Sequence, residues 1–191
     1  MRIIASPSDF TTSLEKALSD ADPKWRELNG LIIPGTLEFQ DVDAKLAAIK
    51  DARENGTPTL GECGGLQLMA VEYARNVLCL DGASSTEINP DTFHPIVIEN
   101  PKGLRVGIYP VGGRHESFWH RFSFNPRYLS SFMADWSMVV SGDIVVEMRL
   151  AGHPFFMGTQ YHSSYQSSSI NPHPLLIEFL NVCRIANTIG K

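Results

Sequence analysis

The sequence predicts an α/β fold: an open, mostly parallel twisted sheet with helices on both faces, three layers in all. Three observations carry this. Short aliphatic, β-branched runs alternate with helical periodicities through the first half of the chain, as strand–helix–strand units require. One helical stretch, residues 65–78, is apolar almost all round and therefore belongs between layers. The sharpest turn chemistry, Pro34-Gly35 and Gly61-Glu62-Cys63-Gly64-Gly65, falls where predicted strands end.

Residues 2–5 read as the first strand and 30–33 as the second, with a short helix over 11–18 between them. Val42, Leu46 and Ile49 recur at i, i+4 and i+7, so residues 41–54 form an amphipathic helix closed by Asn55-Gly56. Residues 57–60 then make a short buried strand that runs into the apolar helix. From His94 onward strands follow one another with little helix between: 95–98, 105–109, 121–124, 137–140, 144–150 and 154–160. Some of these pair antiparallel, as an edge or excursion of the main sheet. Leu176, Phe179, Leu180 and Cys183 line one face of a C-terminal helix. With no repeat, low-complexity tract or long linker, residues 1–191 are expected to form a single domain.

Composition narrows the function classes. At 43% hydrophobic and 19% charged, the chain is globular in type, and a formal charge of −5 with no basic run excludes a nucleic-acid surface. No apolar stretch approaches the roughly 20 residues of a membrane span, and the N-terminus is too short an apolar run for a signal peptide. A cytoplasmic protein is expected. Cys63, Cys79 and Cys183 are odd in number and widely spaced, which is neither a disulfide framework nor a metal knuckle. Cys79 and Cys183 read as small buried hydrophobes. No ligand spacing among the histidines supports a metal, and no cofactor is expected.

The pentapeptide around Cys63 is the strongest local signal. A nucleophile flanked by glycines at a strand-to-helix junction is an elbow: a strained turn that leaves no room for side chains on either side. The helix N-terminus beyond it is expected to lower the pKa of an exposed Cys63 thiol. Taken alone, a glycine-rich turn around an inert buried cysteine fits equally well. His162, after the run 155–161, stands at a strand's C-terminal end, where open α/β sheets build their sites, and can serve as a base. His94, His153 and His173 each precede proline and read as turn or capping residues, while His115 and His120 read as surface. Pro34-Gly35-Thr36 is either an ordinary strand-ending turn or, with the N–H of Gly64, part of an oxyanion hole.

Together these segments resemble the glutamine amidotransferase domain of CTP synthases. Residues 44–91 resemble the heart of that domain nearly throughout, and His120-Arg121-Phe122, His153-Pro-Phe-Phe, Thr159-Gln-Tyr-His162 and Pro172-His-Pro-Leu175 follow its later signatures in order. The resemblance implies a class I glutamine amidotransferase-like, flavodoxin-like fold. It implies a triad in which a thiolate attacks the side-chain amide of glutamine. It matches Cys63 to the nucleophile, His162 to the base, and Gly35, Thr36 and Gly64 to the oxyanion positions. Gln67, Glu87 and Arg121 match substrate-holding residues.

Departures are equally clear. The family has His-Pro-Glu where this chain has His162-Ser163-Ser164, so a hydroxyl at Ser164 stands as the candidate orienter in place of the triad glutamate. Glu62, Glu116 and Glu147 are the carboxylates that could substitute. Thr36 replaces a glycine and Gly64 a bulkier residue. Nothing resembles a nucleotide-binding synthetase module. The expected function is a stand-alone thiol amidohydrolase or amidotransferase on glutamine or a related amide, with a synthetase partner or a homo-oligomer as its assembly. A binding or regulatory pseudo-amidotransferase is the alternative.

Overall fold

The computed structural model describes residues 2–3 and 9–189. The core of the molecule is a six-stranded sheet in the order β1 (Arg2–Ile3), β2 (Leu31–Ile33), β3 (Thr59–Glu62), β11 (Phe156–Thr159), β10 (Ile144–Leu150) and β9 (Trp136–Ser141). The first four are mutually parallel; β10 and β9 add an antiparallel edge. The remainder of the predicted first strand lies outside the described residues.

Alternation along each strand sends side chains to opposite faces. Leu31, Ile33 and Phe156 pack on one face against α2 (Val42–Glu54) and α3 (Gly64–Asn76). Ile32, Leu60, Phe155 and Met157 pack on the other against α1 (Asp9–Ala21) and α5 (Pro174–Ile189). These are the three expected layers. Helix α3 is buried through Ala74, as its all-round apolar character requires.

Several sequence expectations shift. Thr57 closes the turn after α2 through its N–H to the Ala52 carbonyl at 2.9 Å, so β3 begins two residues later than read and runs up to the cysteine. Cys79 is exposed in the loop after α3 rather than buried, with φ of 55°; Cys183 is buried as expected.

The larger difference is a hairpin of β6 (Arg105–Val111) and β7 (Arg114–His120), whose second strand is absent from the strands read above. Gly112 and Gly113, with φ of 54° and 84°, make the two-residue turn. Positive φ at both positions is what such a hairpin needs. A small sheet of β4 (Ser84–Ser85), β5 (Pro95–Glu99) and β8 (Phe122–Phe124) completes the excursion, with β5 and β8 antiparallel.

Candidate active site

Three neighbouring parallel strands, β2, β3 and β11, end on the same edge of the sheet, and each delivers one part of the site. Gly35 follows β2, Cys63 follows β3, and His162 lies just beyond β11. Carboxyl ends of parallel strands are where this architecture opens a crevice.

Cys63 adopts φ 51° and ψ −105°, a backbone conformation that L side chains rarely occupy. Its N–H is fixed by the Thr159 carbonyl at 2.6 Å. A Cβ on Gly61 would lie 2.5 Å from Met69 Sδ and 2.7 Å from the Gly65 carbonyl carbon. One on Gly65 would overlap the Ile33 carbonyl. The elbow glycines thus have a steric cause.

The expected exposed, acidified thiol is not what the fold makes. Cys63 is only 6% exposed, and burial pushes its thiol up to about 12. The Gly64 N–H and Gln160 act to lower it, while Glu87 and Glu62 reinforce the rise. The helix terminus therefore contributes in the anticipated direction but is outweighed by desolvation. Access persists all the same, because Cys63 forms part of the floor of a cavity of about 290 Å³.

His162 is 1% exposed and its ring stacks on Phe10 at 4.5 Å and 12°. Burial lowers its pKa to about 4, against the pull of the Trp119 carbonyl and with some help from His120. That same carbonyl accepts from Cys63 Sγ at 3.5 Å. Among the described residues no hydrogen bond links the thiol and the imidazole directly. They flank Gly35: a Cβ built there would lie 2.5 Å from His162 Cε1, 3.2 Å from its Nδ1 and 3.4 Å from Cys63 Cβ.

Ser164 is buried two residues beyond His162, yet His162 Nε2 has no hydrogen-bond partner. The Ser164 hydroxyl does not orient that edge of the ring, which corrects the role expected for it. Nor do the three glutamates raised as substitutes. Glu62 Oε1 accepts from the Ser163 N–H at 3.0 Å and from the Ser163 hydroxyl. Glu116 is taken by His173 Nε2 at 3.0 Å and Arg114 Nε at 2.9 Å. Glu147 accepts from Arg114 and from Tyr161 Oη, each at 2.7 Å.

The two departures at the oxyanion positions fit each other. A Cβ on Gly64 would meet Thr36 Cγ2 at 3.1 Å and the Phe39 ring at 3.3 Å, so the larger loop residue occupies space that the smaller helix residue leaves. The Thr36 hydroxyl is spent within its loop, donating to the Glu38 carbonyl and accepting from the Glu38 N–H at 3.1 Å.

Gln67, Glu87 and Arg121 all line the same cavity as Cys63. Gln67 is buried, its Nε2 donating to the Phe122 carbonyl at 2.9 Å, while its Oε1 has no partner. Glu87 stands at the rim, held above the usual carboxylate range by burial that Arg121 offsets only partly.

His120, read as a surface residue, is 3% exposed and lines the cavity. It lies on the inward-facing row of β7 with Glu116 and Phe118. Its Nδ1 faces the Phe122 carbonyl at 3.1 Å, and burial pushes its pKa down to about 4. The neutral ring therefore donates through Nδ1 and keeps Nε2 as an acceptor, without a partner. Trp119 and Gln160, whose Nε2 reaches Cys63 Sγ at 3.7 Å, were also missed. The Gly112-Gly113 turn between alternating runs was the signal that would have placed β7 and, with it, His120 and Trp119.

A glycine-flanked strand-to-helix elbow at Cys63 beside a strand-end histidine, on a parallel sheet covered by helices, is the arrangement at this edge. The chain matches the family Glutamine amidotransferase class-I over residues 8–182, and it belongs to that family. Its relatives include CTP synthases. It is 36% identical to that of Sulfolobus acidocaldarius over 90% of this chain and 37% of the relative. It is 37% identical to that of Moorella thermoacetica over 84% of this chain and 35% of the relative. The chain thus spans little more than a third of the length of these relatives. Among solved structures, the fold matches the glutaminase domain of Trypanosoma brucei CTPS with bound acivicin at a TM-score of 0.81 and 20% identity, covering 96% of this chain and 92% of that one. PurLQS from Thermotoga maritima matches at a TM-score of 0.55 and 14% identity, covering 99% and 97%. Among the described residues no helix is long and apolar enough to cross a membrane.

Proposed function

We propose that this chain hydrolyses the side-chain amide of glutamine, or of a closely related amino acid, through a thioester on Cys63. The observation that carries this is where unmet hydrogen-bonding capacity collects. Of five buried polar atoms without a partner among the described residues, four (Gln67 Oε1, His120 Nε2, Gln160 Oε1 and His162 Nε2) belong to residues around Cys63. Buried polar atoms are ordinarily paired, so such a cluster fits a ligand that pairs them. Two of the four, Gln67 Oε1 and the neutral His120 Nε2, belong to residues lining the cavity and are acceptors. With the Glu87 carboxylate at the rim, they suit a ligand rich in N–H: a primary amide at one end and an ammonium at the other.

In this reading Cys63 Sγ attacks the amide carbon while its proton passes to His162. The N–H groups of Gly35, Thr36 and Gly64 face the developing oxyanion. His162 returns the proton to the departing nitrogen as ammonia leaves, and then takes one from the water that cleaves the thioester. Glu87 and Arg121 hold the α-ammonium and α-carboxylate. With the imidazole near 4 and the thiol near 12, the resting pair is neutral on both sides. Proton transfer is then coupled to attack rather than completed beforehand. Lacking a carboxylate behind the histidine, turnover is slow; removing that charge from a comparable triad costs about 10⁴-fold in kcat. The ammonia goes to a synthetase, in keeping with relatives in which the matching region is part of a longer synthase.

The partnerless His162 Nε2 favours a second reading, a pseudo-amidotransferase that binds the amino acid without turnover. A glutamine-mimicking electrophile separates the two. A mass adduct on Cys63, absent in Cys63→Ala, together with ammonia release from glutamine, is the expected result. Glutamine binding with neither adduct nor ammonia establishes the second reading instead.

A further inference from the structure

We propose that Glu62 is the positioning residue for His162, acting through Ser163; this rests on His162 being the base for Cys63. Glu62 is the last residue of β3, immediately before the nucleophile, and is 1% exposed. Its Oε1 accepts both from the Ser163 N–H, at 3.0 Å, and from the Ser163 hydroxyl. Ser163 is the first residue after His162 and opens the turn Ser163–Gln166.

Three successive residues are thereby anchored from three different strands. Tyr161 Oη donates to Glu147 of β10 at 2.7 Å. The His162 N–H donates to the Ser117 carbonyl of β7 at 2.9 Å. Ser163 donates to Glu62 of β3. Of these three anchors only the last comes from the strand that carries Cys63. It joins the Trp119 carbonyl, which faces both Cys63 Sγ and the His162 ring, in tying base to nucleophile. Like the Tyr161–Glu147 bond, it needs its own pair of residues. A proline at 163 has no N–H to give, and a buried carboxylate at 62 facing a proline would be left unpaired.

Besides this anchor, the Trp119 carbonyl and ring stacking bear on the imidazole. Its Nε2 is without a partner and its faces meet Phe10 and Tyr165. Stacking fixes the plane of the ring, and the backbone at 162–163 sets the Cα–Cβ direction from which the stacked ring reaches toward Cys63. The His-Pro-Glu arrangement that this chain departs from places a carboxylate after the histidine. Here a carboxylate arrives from the nucleophile's strand and grips the backbone instead. Behind Glu62, Glu116 and His173 are the charged groups that bear on it.

The test reads alkylation of Cys63 by iodoacetamide across pH, beside glutamine turnover. His162→Ala defines the His162-dependent part of the alkylation rate. Glu62→Ala and Ser163→Pro are each expected to cut that part by about tenfold or more, as loss of near-attack geometry does. Glu62→Gln keeps an acceptor oxygen and Ser163→Ala keeps the N–H, so both stay within about threefold of the parent, an ordinary hydrogen-bond effect. The double variant Glu62→Ala/Ser163→Pro is no slower than the slower single, because one linkage is broken twice. In turnover the loss falls on kcat and leaves KM in place. Circular dichroism and a thermal melt establish folding; where Glu62→Ala does not fold, Ser163→Pro against Ser163→Ala decides. A folded Glu62→Ala that reacts at the parental rate, strictly additive losses in the double variant, or alkylation indifferent to His162 overturns the proposal. Should the alkylation pattern hold while no variant or parent releases ammonia, the amidase reading fails and the positioning role stands.

Discussion

At the scale of single residues, the site depends on what is missing as much as on what is present. Gly35 lies between Cys63 and His162, where a Cβ would press on His162 Cε1 at 2.5 Å. Gly35→Ala is therefore expected to lower kcat by about 100-fold through displacement of the ring while leaving the thermal midpoint nearly unchanged. Activity assays beside a melt check both halves. The acid limb of kcat/KM reports the free enzyme's base. With His162 pushed down to about 4 by burial, that limb should fall near pH 4 rather than near the ordinary histidine value of 6.5. Ser164→Glu supplies a charge that favours imidazolium. The limb should then move upward and kcat should rise; a pH–rate profile of the variant tests this, and an unmoved limb would mean that the new carboxylate does not face the ring.

Elements set where these residues meet. The elbow works because α3 and β2 approach so closely at Gly65 that a methyl group would enter the Ile33 carbonyl. Backbone on both sides cannot yield. Gly65→Ala is expected to destabilise the fold by roughly 2–4 kcal/mol, seen as a lower urea midpoint with little change in m. The β6–β7 hairpin is the other decisive element. Its inward row brings Glu116, Phe118 and His120 under the site, and the Trp119 carbonyl touches the thiol. Gly113, at φ 84°, cannot take a β-branched residue without strain. Gly113→Val should disorder this hairpin and slow Cys63 alkylation even though residue 113 lies outside the cavity lining.

Over the whole molecule, buried titratable groups set the response to acid. His162 and His120 both sit near 4 in the folded state, below the ordinary 6.5. The unfolded chain therefore takes up their protons first as pH falls. Stability from these two groups is full above about pH 6.5 and declines between 6.5 and 4, by on the order of 2–3 kcal/mol each. For Glu116, burial pushes the carboxyl up, but His173 and Arg114 outweigh it and hold it low, so a further loss follows below 4.5. Glu62, raised by burial against its bonds to Ser163, has the opposite sign and partly offsets the decline. Urea midpoints from pH 7 to 4 should fall, and His120→Gln should flatten the slope.

The amino-acid order by itself determined the layers, the parallel strands and the identity of the elbow. Those features follow from local periodicity, from glycine at positions where no other residue fits, and from a likeness that runs through most of the chain. It also singled out Cys63 and His162 from their place at predicted strand ends, and Gln67, Glu87 and Arg121 through the resemblance alone. The hairpin stayed hidden because β7 carries Glu116 and His120 on its inward row and His115, Ser117 and Trp119 on its outer one, so the apolar–polar alternation of a half-buried strand is absent. Only the tertiary structure decided the protonation of the site, since desolvation depends on everything packed around a group and not on its sequence neighbours. The thiol meant to be acidified by a helix terminus is raised instead. Of the three glutamates that might have stood behind the histidine, each is held by partners far away in the chain, and which one holds Ser163 is set by the adjacency of β3 and β11.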